Sequence, residues 1–251
     1  MSLVNYSTRD GIACLALNRP SRHNALVPEL LDELLDKLDL CRQEQPAVLI
    51  LEAEGGSFSS GGDVAGFYDT PRGQRGAYAA RVVGALNQVI LSLLDLPMPT
   101  IASVQGLVSG GSLGLVLACD LVVASEQARF EPWYSVVGFS PDGGWSALLP
   151  ERIGRSRALE VQLTNRSISA NEAHILGLVQ YHSDHINLPL HTWKIASSLL
   201  EKRPGSLRHT LALGRPDRAR VAAGLEAEYR HFLEQIESDE ADRGMAAFLK
   251  R

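Results

Sequence analysis

Cysteine is scarce. The 251 residues hold three, Cys14, Cys41 and Cys119, odd in number and without the close spacing of a thiolate metal site. That excludes a disulfide-stapled scaffold, and the three read as buried thiols of a reducing compartment. Basic residues are not in excess: 24 Lys and Arg against 29 Asp and Glu give a net charge of −5. A dedicated nucleic-acid binder would show a broad positive face, and this chain has no excess to build one. No charge-free run approaches the roughly 20 apolar residues that cross a bilayer, and the first residues are polar rather than a basic leader followed by an apolar stretch. The expectation is a cytoplasmic protein with neither membrane nor nucleic acid as partner. Histidine is missing between His23 and His174. The later His182, His185 and His191 lack the carboxylate-and-histidine spacing of a metal site and read as surface residues, so no metal is expected.

What is present is a large apolar fraction, 45% of residues, enough for a substantial core. Val4 to Ser7 and Ile12 to Leu17 flank Arg9-Asp10-Gly11 and predict a hairpin. Pro28 to Gln45, with leucines at 30, 31, 34, 35 and 38, predicts an amphipathic helix. Val48 to Leu51, Thr100 to Val104 and Leu121 to Ala124 read as buried strands, and Gln74 to Leu94 as a helix ending before Pro97. Leu113 to Cys119 is apolar on every side and predicts a buried helix. Trp145 to Arg152 and Ser156 to Thr164 read as short helices, and Ser169-x-x-Glu172 as a capping box for another. The alternation is that of an α/β fold. No clean internal repeat is visible, and from about Leu188 onward only helices are expected.

Two stretches organise the chain. Gly106-Leu107-Val108-Ser109-Gly110-Gly111-Ser112 leads from a strand into an apolar helix. Small residues at a helix start leave unpaired N–H groups open to close approach. An anion or oxyanion site and a tight packing turn both fit. Ser57-Phe58-Ser59-Ser60-Gly61-Gly62-Asp63-Val64 has the same character. Two backbone amides from two loops, aimed at one point, would stabilise a thioester carbonyl turning into an enolate.

These stretches, with Leu17-Asn18-Arg19-Pro20, Asn24-Ala25-Leu26, Pro97-x-Pro99-Thr100-Ile101-Ala102, Cys119-Asp120, Ala128-Arg129-Phe130 and Pro141-Asp142-Gly143-Gly144 in order, resemble the crotonase superfamily, the enoyl-CoA hydratase/isomerases. The resemblance covers about residues 1–185. It implies a crotonase-like spiral of ββα units with a C-terminal helical region: a core for acyl-CoA over 1–190 and an oligomerisation region over 191–251, building a homotrimer or hexamer. The alternative for the tail is a set of helices that cap a monomer's core. The resemblance also implies an oxyanion hole from the N–H groups of Gly62 and Gly111; for Gly62 alone, a turn needing positive φ is the other reading. Arg19, Arg22 and His23 are expected near the CoA phosphates and the Gly62 to Gly66 backbone near the adenine, with Ser60, Gly62, Asp63 and Val64 counted among the CoA-binding residues. Arg22 as an exposed residue ahead of a helix is equally open. Coenzyme A enters as part of the thioester substrate, and no separate cofactor is expected.

The hydratases of this family carry two glutamates, and the matching places here hold Gly114 and Tyr134. Glycine moves no proton, and a phenol with pKa near 10 is a poor base at neutral pH. Glu131 is close in sequence but reads as a surface residue or helix cap. The remaining carboxylate is Asp142, in Phe139-Ser140-Pro141-Asp142-Gly143-Gly144-Trp145. Some family isomerases place an acid there, and the 4-chlorobenzoyl-CoA dehalogenases their nucleophile. Asp142 therefore reads as a base or nucleophile desolvated by Phe139 and Trp145, or as the N-cap of a helix begun at Gly143. The resulting expectation is an enoyl-CoA double-bond isomerase of fatty acid metabolism, with Gly62, Gly111, Asp142 and Tyr134 at its centre. A hydrolase or dehalogenase-like enzyme is an alternative, weakened because the histidine that would activate water is missing from the region between the glycine-rich stretches. A non-catalytic acyl-CoA-binding protein is another.

Overall fold

The computed structural model describes residues 2–250. Among the described residues nine strands run in chain order: β1 (Val4–Arg9), β2 (Ile12–Leu17), β3 (Val48–Ala53), β4 (Thr100–Val104), β5 (Leu107–Ser109), β6 (Leu121–Ser125), β7 (Arg129–Glu131), β8 (Ile168–Ser169) and β9 (Tyr181–Ser183). The first eight helices are α1 (Pro28–Glu44), α2 (Val64–Asp69), α3 (Arg72–Leu94), α4 (Leu113–Leu117), α5 (Tyr134–Val137), α6 (Leu149–Ile153), α7 (Arg155–Thr164) and α8 (Ala170–Ile175). The last four are α9 (Leu188–Leu200), α10 (Pro204–Gly214), α11 (Arg218–Ile236) and α12 (Asp239–Phe248).

Six strands form the main sheet in the order β1-β2-β3-β4-β6-β9. The β1–β2 hairpin is antiparallel, and every later pairing in that sheet is parallel. A second sheet, β5-β7-β8, stands beside it. Side chains alternate across a strand. Along β3, Leu49 and Leu51 join the larger core while Val48 and Ile50 join a smaller core on the opposite face. Both faces are covered, so these strands are continuously apolar. The second face is covered by α9, through Leu188, Ala196, Ile195 and Leu199. Helix α3 is long and apolar enough to cross a membrane by composition. Here it lies packed against α1 and α11, with Val82, Val83, Leu86, Ile90 and Leu93 buried.

One expected helix differs. Residues 143–148 form turns, and α6 begins only at Leu149. Gly143 and Gly144 both have positive φ, +61° and +87°, and the amides of Ser146 and Ala147 donate to the Glu228 carboxylate, so the stretch that suggested one helix over Trp145 to Arg152 begins as turns. Ser169 does cap α8, accepting a hydrogen bond from the Glu172 amide. The segment 191–251, expected to mediate assembly, packs extensively on its own chain: α9 on the sheet, α11 on α3, and α12 on α2 and α5. Arg215, between α10 and α11, ties this region down, pairing with half-buried Asp120 at 2.7 Å and donating to the carbonyls of Leu94, Leu96 and Met98.

Candidate active site

The two glycine-rich loops are laced together. Ser59 N donates to Leu107 O and Ser109 N to Ser59 O, both at 3.0 Å. Ser112 Oγ donates to Ser109 O and Ser59 O. The approach is close enough to need glycine: a β-carbon on Gly61 would lie 2.6 Å from the Ser109 carbonyl oxygen. Gly61 also takes the positive φ, +80°, that the sequence allowed for Gly62, which is not left-handed. The short bridge between Leu26 and Gly62 uses the amides of Leu26 and Asp63 and leaves the Gly62 N–H outside it. Gly111 lies in the first turn of the 3-10 segment Gly110–Ser112, where amides have no partner inside the helix.

Both glycines line one cavity of about 500 Å³. Its walls are mostly apolar, with Val82 and Leu86 from α3, Val137 from α5, and Phe67, Phe139 and Phe232 packed edge to face or tilted on one another. Ser60, Val64, Tyr134 and Asp142 line it too, so the expected central residues converge there. Phe232 of α11, Phe248 of α12 and Leu249 also belong to the lining.

Asp142 is 7% exposed and 2.8 Å from the position a β-carbon on Gly111 would occupy. No helix starts at Gly143, so the N-cap reading is overturned. Instead Oδ1 accepts from the Tyr134 hydroxyl at 2.6 Å, and that hydroxyl also lies 3.0 Å from the Asp142 carbonyl. Burial pushes the Asp142 carboxyl up to about 7; the Tyr134 hydrogen bond pulls it down, and the charge of Glu228 pushes it up again. Tyr134 itself is driven well above its ordinary value by burial and the neighbouring Asp142. It is a hydrogen-bond donor here, not a base. Trp145 does not flank the carboxylate as a bare wall: its indole N–H donates to Gly110 O at 2.8 Å and ties the Asp142 turn to the glycine loop.

The place of one hydratase glutamate is sealed. A β-carbon on Gly114 would lie 2.3 Å from Gly143 O and 2.5 Å from Ile90 Cδ1. Glu131 is neither bare surface nor cap, but accepts from the Trp133 indole N–H at 2.5 Å.

Of the residues expected at coenzyme A, Ser60, Gly62 and Val64 line this cavity, whereas Arg19, Arg22, His23 and Asp63 lie apart from its lining. Arg19 and Arg22 both donate to Asp63, at 2.9 and 3.1 Å. Burial pushes the Asp63 carboxyl up, but the two guanidiniums outweigh it and hold it below the usual range. Asp63 is therefore engaged in setting the arginines rather than free for a ligand. The Arg22 side chain remains 53% exposed. His23 leans on Ser57 and, with Ser60, Leu107 and Arg129, lines an open depression; Ser60 and Leu107 border both hollows. His182 is half-buried rather than exposed, its Nε2 lying 2.6 Å from Ala170 O and its ring packed on His174. Among the described residues no group of three or more His, Cys, Asp or Glu is placed to hold a metal ion.

The sequence reading missed Glu228. It lies on the buried face of α11, in register with Val221, Leu225, Phe232 and Ile236. A lone acid at a core-facing position of an amphipathic helix was the available signal.

The family profile described as enoyl-CoA hydratase/isomerase matches residues 7–251. A 4-chlorobenzoyl coenzyme A dehalogenase of Arthrobacter sp is 36% identical over 177 residues, 70% of this chain and 64% of its own length. The human mitochondrial enoyl-CoA hydratase domain-containing protein 2 is 30% identical over 248 residues, 96% of this chain and 84% of its own. The crystal structure of an enoyl-CoA hydratase from Bacillus halodurans superimposes with a TM-score of 0.91 over 98% of this chain and 100% of its own. At 24% identity that is a likeness of fold.

Proposed function

The chain belongs to the enoyl-CoA hydratase/isomerase family, and we propose that within it the protein is an enoyl-CoA double-bond isomerase. The observation that carries this reading is Asp142: a buried carboxylate with pKa near 7, beside Gly111 and without a second acid in the cavity lining. The thioester oxygen sits between the Gly62 and Gly111 amides. Asp142 takes a proton from the α-carbon, the electron pair moves onto the thioester oxygen, and the dienolate is held by the two N–H groups. One such donor is worth about 3 kcal/mol in the transition state. Asp142 then returns the proton at the γ-carbon, and the double bond moves into conjugation. A base near neutrality suits both halves of that transfer.

The apolar lining suits an uncharged acyl chain. Arg19, Arg22 and His23 hold the CoA phosphates, with Ser60, Val64 and the Gly62 backbone beside the rest of the carrier; Asp63 orients the arginines. The same proposal places the protein in the cytoplasm as a homotrimer or hexamer. Leu163, Ile175, Ile186 and Leu213, 73–88% exposed, supply apolar surface for assembly; sedimentation as a monomer would count against it. The test of the chemistry is solvent-deuterium exchange across a panel of CoA thioesters. Incorporation at the α- and γ-carbons with double-bond migration supports the isomerase; binding without exchange overturns it.

A second reading has one observation behind it, the dehalogenase likeness with Asp142 as nucleophile. It lacks a water-activating base, since among the described residues no histidine lines the cavity. An ester trapped on Asp142 with an aryl-CoA substrate would favour it.

A further inference from the structure

The turn that carries Asp142 is irregular backbone and needs something to hold it. The residues after Asp142 take two successive left-handed conformations, at Gly143 and Gly144. The amides that follow are gathered by one side chain from more than 80 residues away. Glu228 Oε2 accepts from Gly144 N at 2.7 Å. Its Oε1 accepts from Ser146 N at 2.7 Å, Ser146 Oγ at 2.6 Å and Ala147 N at 3.0 Å. Glu228 is 4% exposed, and every hydrogen bond it makes is as acceptor. Four donors stand in for water around a carboxylate whose pKa burial raises on balance, against the downward pull of these donors. Helix α11 reaches this depth because Gly224, one turn earlier, has no side chain: a β-carbon there would lie 2.7 Å from Ala147 Cβ.

We infer that Glu228 is a positioning residue for Asp142, its buried negative charge both anchoring the 144–147 turn and bearing electrostatically on the Asp142 carboxylate. The charged groups around it are turned elsewhere. On α3, Arg75 pairs with Asp242 of α12 and Arg81 faces Asp32. On α11 itself, Arg218 pairs with Asp95, Arg220 with Glu151 and Arg230 with Glu226, while His231 and Glu234 are exposed. Asp142 and Tyr134 remain as the titratable groups that feel Glu228. Like charge near a carboxylate disfavours its ionisation. The C-terminal helices thus complete the site as well as cap the core.

This inference deepens the reading of Asp142 as the base and rests on it for its effect on rate. Its first readout is therefore a titration that does not depend on turnover, and a second reads kcat. In the full-length protein the Asp142 carboxyl carbon is followed by NMR with 13C-labelled aspartate and assigned by its loss in Asp142→Asn. In Glu228→Gln an amide N–H₂ group must face an N–H donor, and the charge is gone. The Asp142 midpoint should fall by about one pH unit. In Glu228→Asp the charge stays but the reach shortens. The midpoint should remain near that of the wild type while kcat falls about 10–100-fold with KM little changed. A Glu228→Gln midpoint equal to wild type, or Glu228→Asp with wild-type kcat, overturns the inference. Should Glu228→Gln fail to fold, Glu228→Asp carries the decision alone. A midpoint that moves as expected in an enzyme without isomerase activity would overturn the assigned reaction and leave Glu228 in its role.

Discussion

The carboxylate of Asp142 occupies the space a side chain on Gly111 would fill, with Oδ1 2.8 Å and Oδ2 3.1 Å from the position of that missing β-carbon. In the proposed reaction an oxyanion donor and a base can be this close because the donor residue has no side chain, and a thioester oxygen on the Gly111 amide would have its α-carbon beside Asp142.

Replacing Gly111 by alanine tests that contact. The new methyl group would lie 2.7 Å from Leu86 Cδ2 as well as against Asp142. Leu86 can turn aside; the carboxylate, held by Tyr134, has less freedom. Proton exchange into a CoA thioester should fall by orders of magnitude while the far-ultraviolet circular dichroism stays unchanged. Wild-type exchange rates would remove this pair from the mechanism.

Asp142→Asn should lower turnover by about 10²–10⁴-fold, the usual worth of general acid–base catalysis. It should also stabilise the fold at alkaline pH. With its pKa raised from 3.8 to about 7, the folded state holds its Asp142 proton longer than the unfolded chain does. That favours folding at low pH, and the advantage is lost as pH rises through the folded pKa. Asparagine keeps an acceptor for Tyr134 and never ionises. At pH 8 the variant should melt above wild type, by about 2–4 °C per kcal/mol relieved, and at pH 4 the two should coincide. Equal melting at pH 8 would show that Asp142 ionises without strain.

The pH profile of kcat/KM should rise with a midpoint near 7 as Asp142 loses its proton. Tyr134→Phe removes the donor that favours the carboxylate, so its midpoint should move to higher pH, with activity at pH 9 closer to wild type than at pH 7. A shift to lower pH would mean that Tyr134 acts otherwise than through this hydrogen bond.

Gly114→Glu should not create a hydratase. Any side chain there meets the Gly143 carbonyl at 2.3 Å, next to Asp142. The more modest Gly114→Ala should already cost about 1–3 kcal/mol and depress isomerisation with it. The wild type should hydrate crotonyl-CoA far below the roughly 10 per second of an ordinary enzyme. Brisk hydration by either protein would show that groups other than the two missing glutamates position water.

Much of this was legible in the sequence because it is local. Short continuous apolar runs and leucines at helical spacing place β2, β3 and α1, since each signal lies within one element. The glycine-rich stretches announce themselves because close backbone approach excludes side chains, and the absence of glutamate at 114 and 134 is read directly from the letters. The tertiary structure decided what depends on residues far apart. A turn or a helix start both fit Asp142-Gly143-Gly144; Gly143 packed on Gly111, and the amides of 144, 146 and 147 gathered on Glu228, select the turn. Whether Asp63 meets a ligand or Arg19 and Arg22 depends on a loop closing over 41–44 residues of separation. The ionisation of Asp142 is the clearest case. Its pKa follows from burial, the Tyr134 hydroxyl and the charge of Glu228, and burial and charge are sums over neighbours in space that no single stretch of sequence contains.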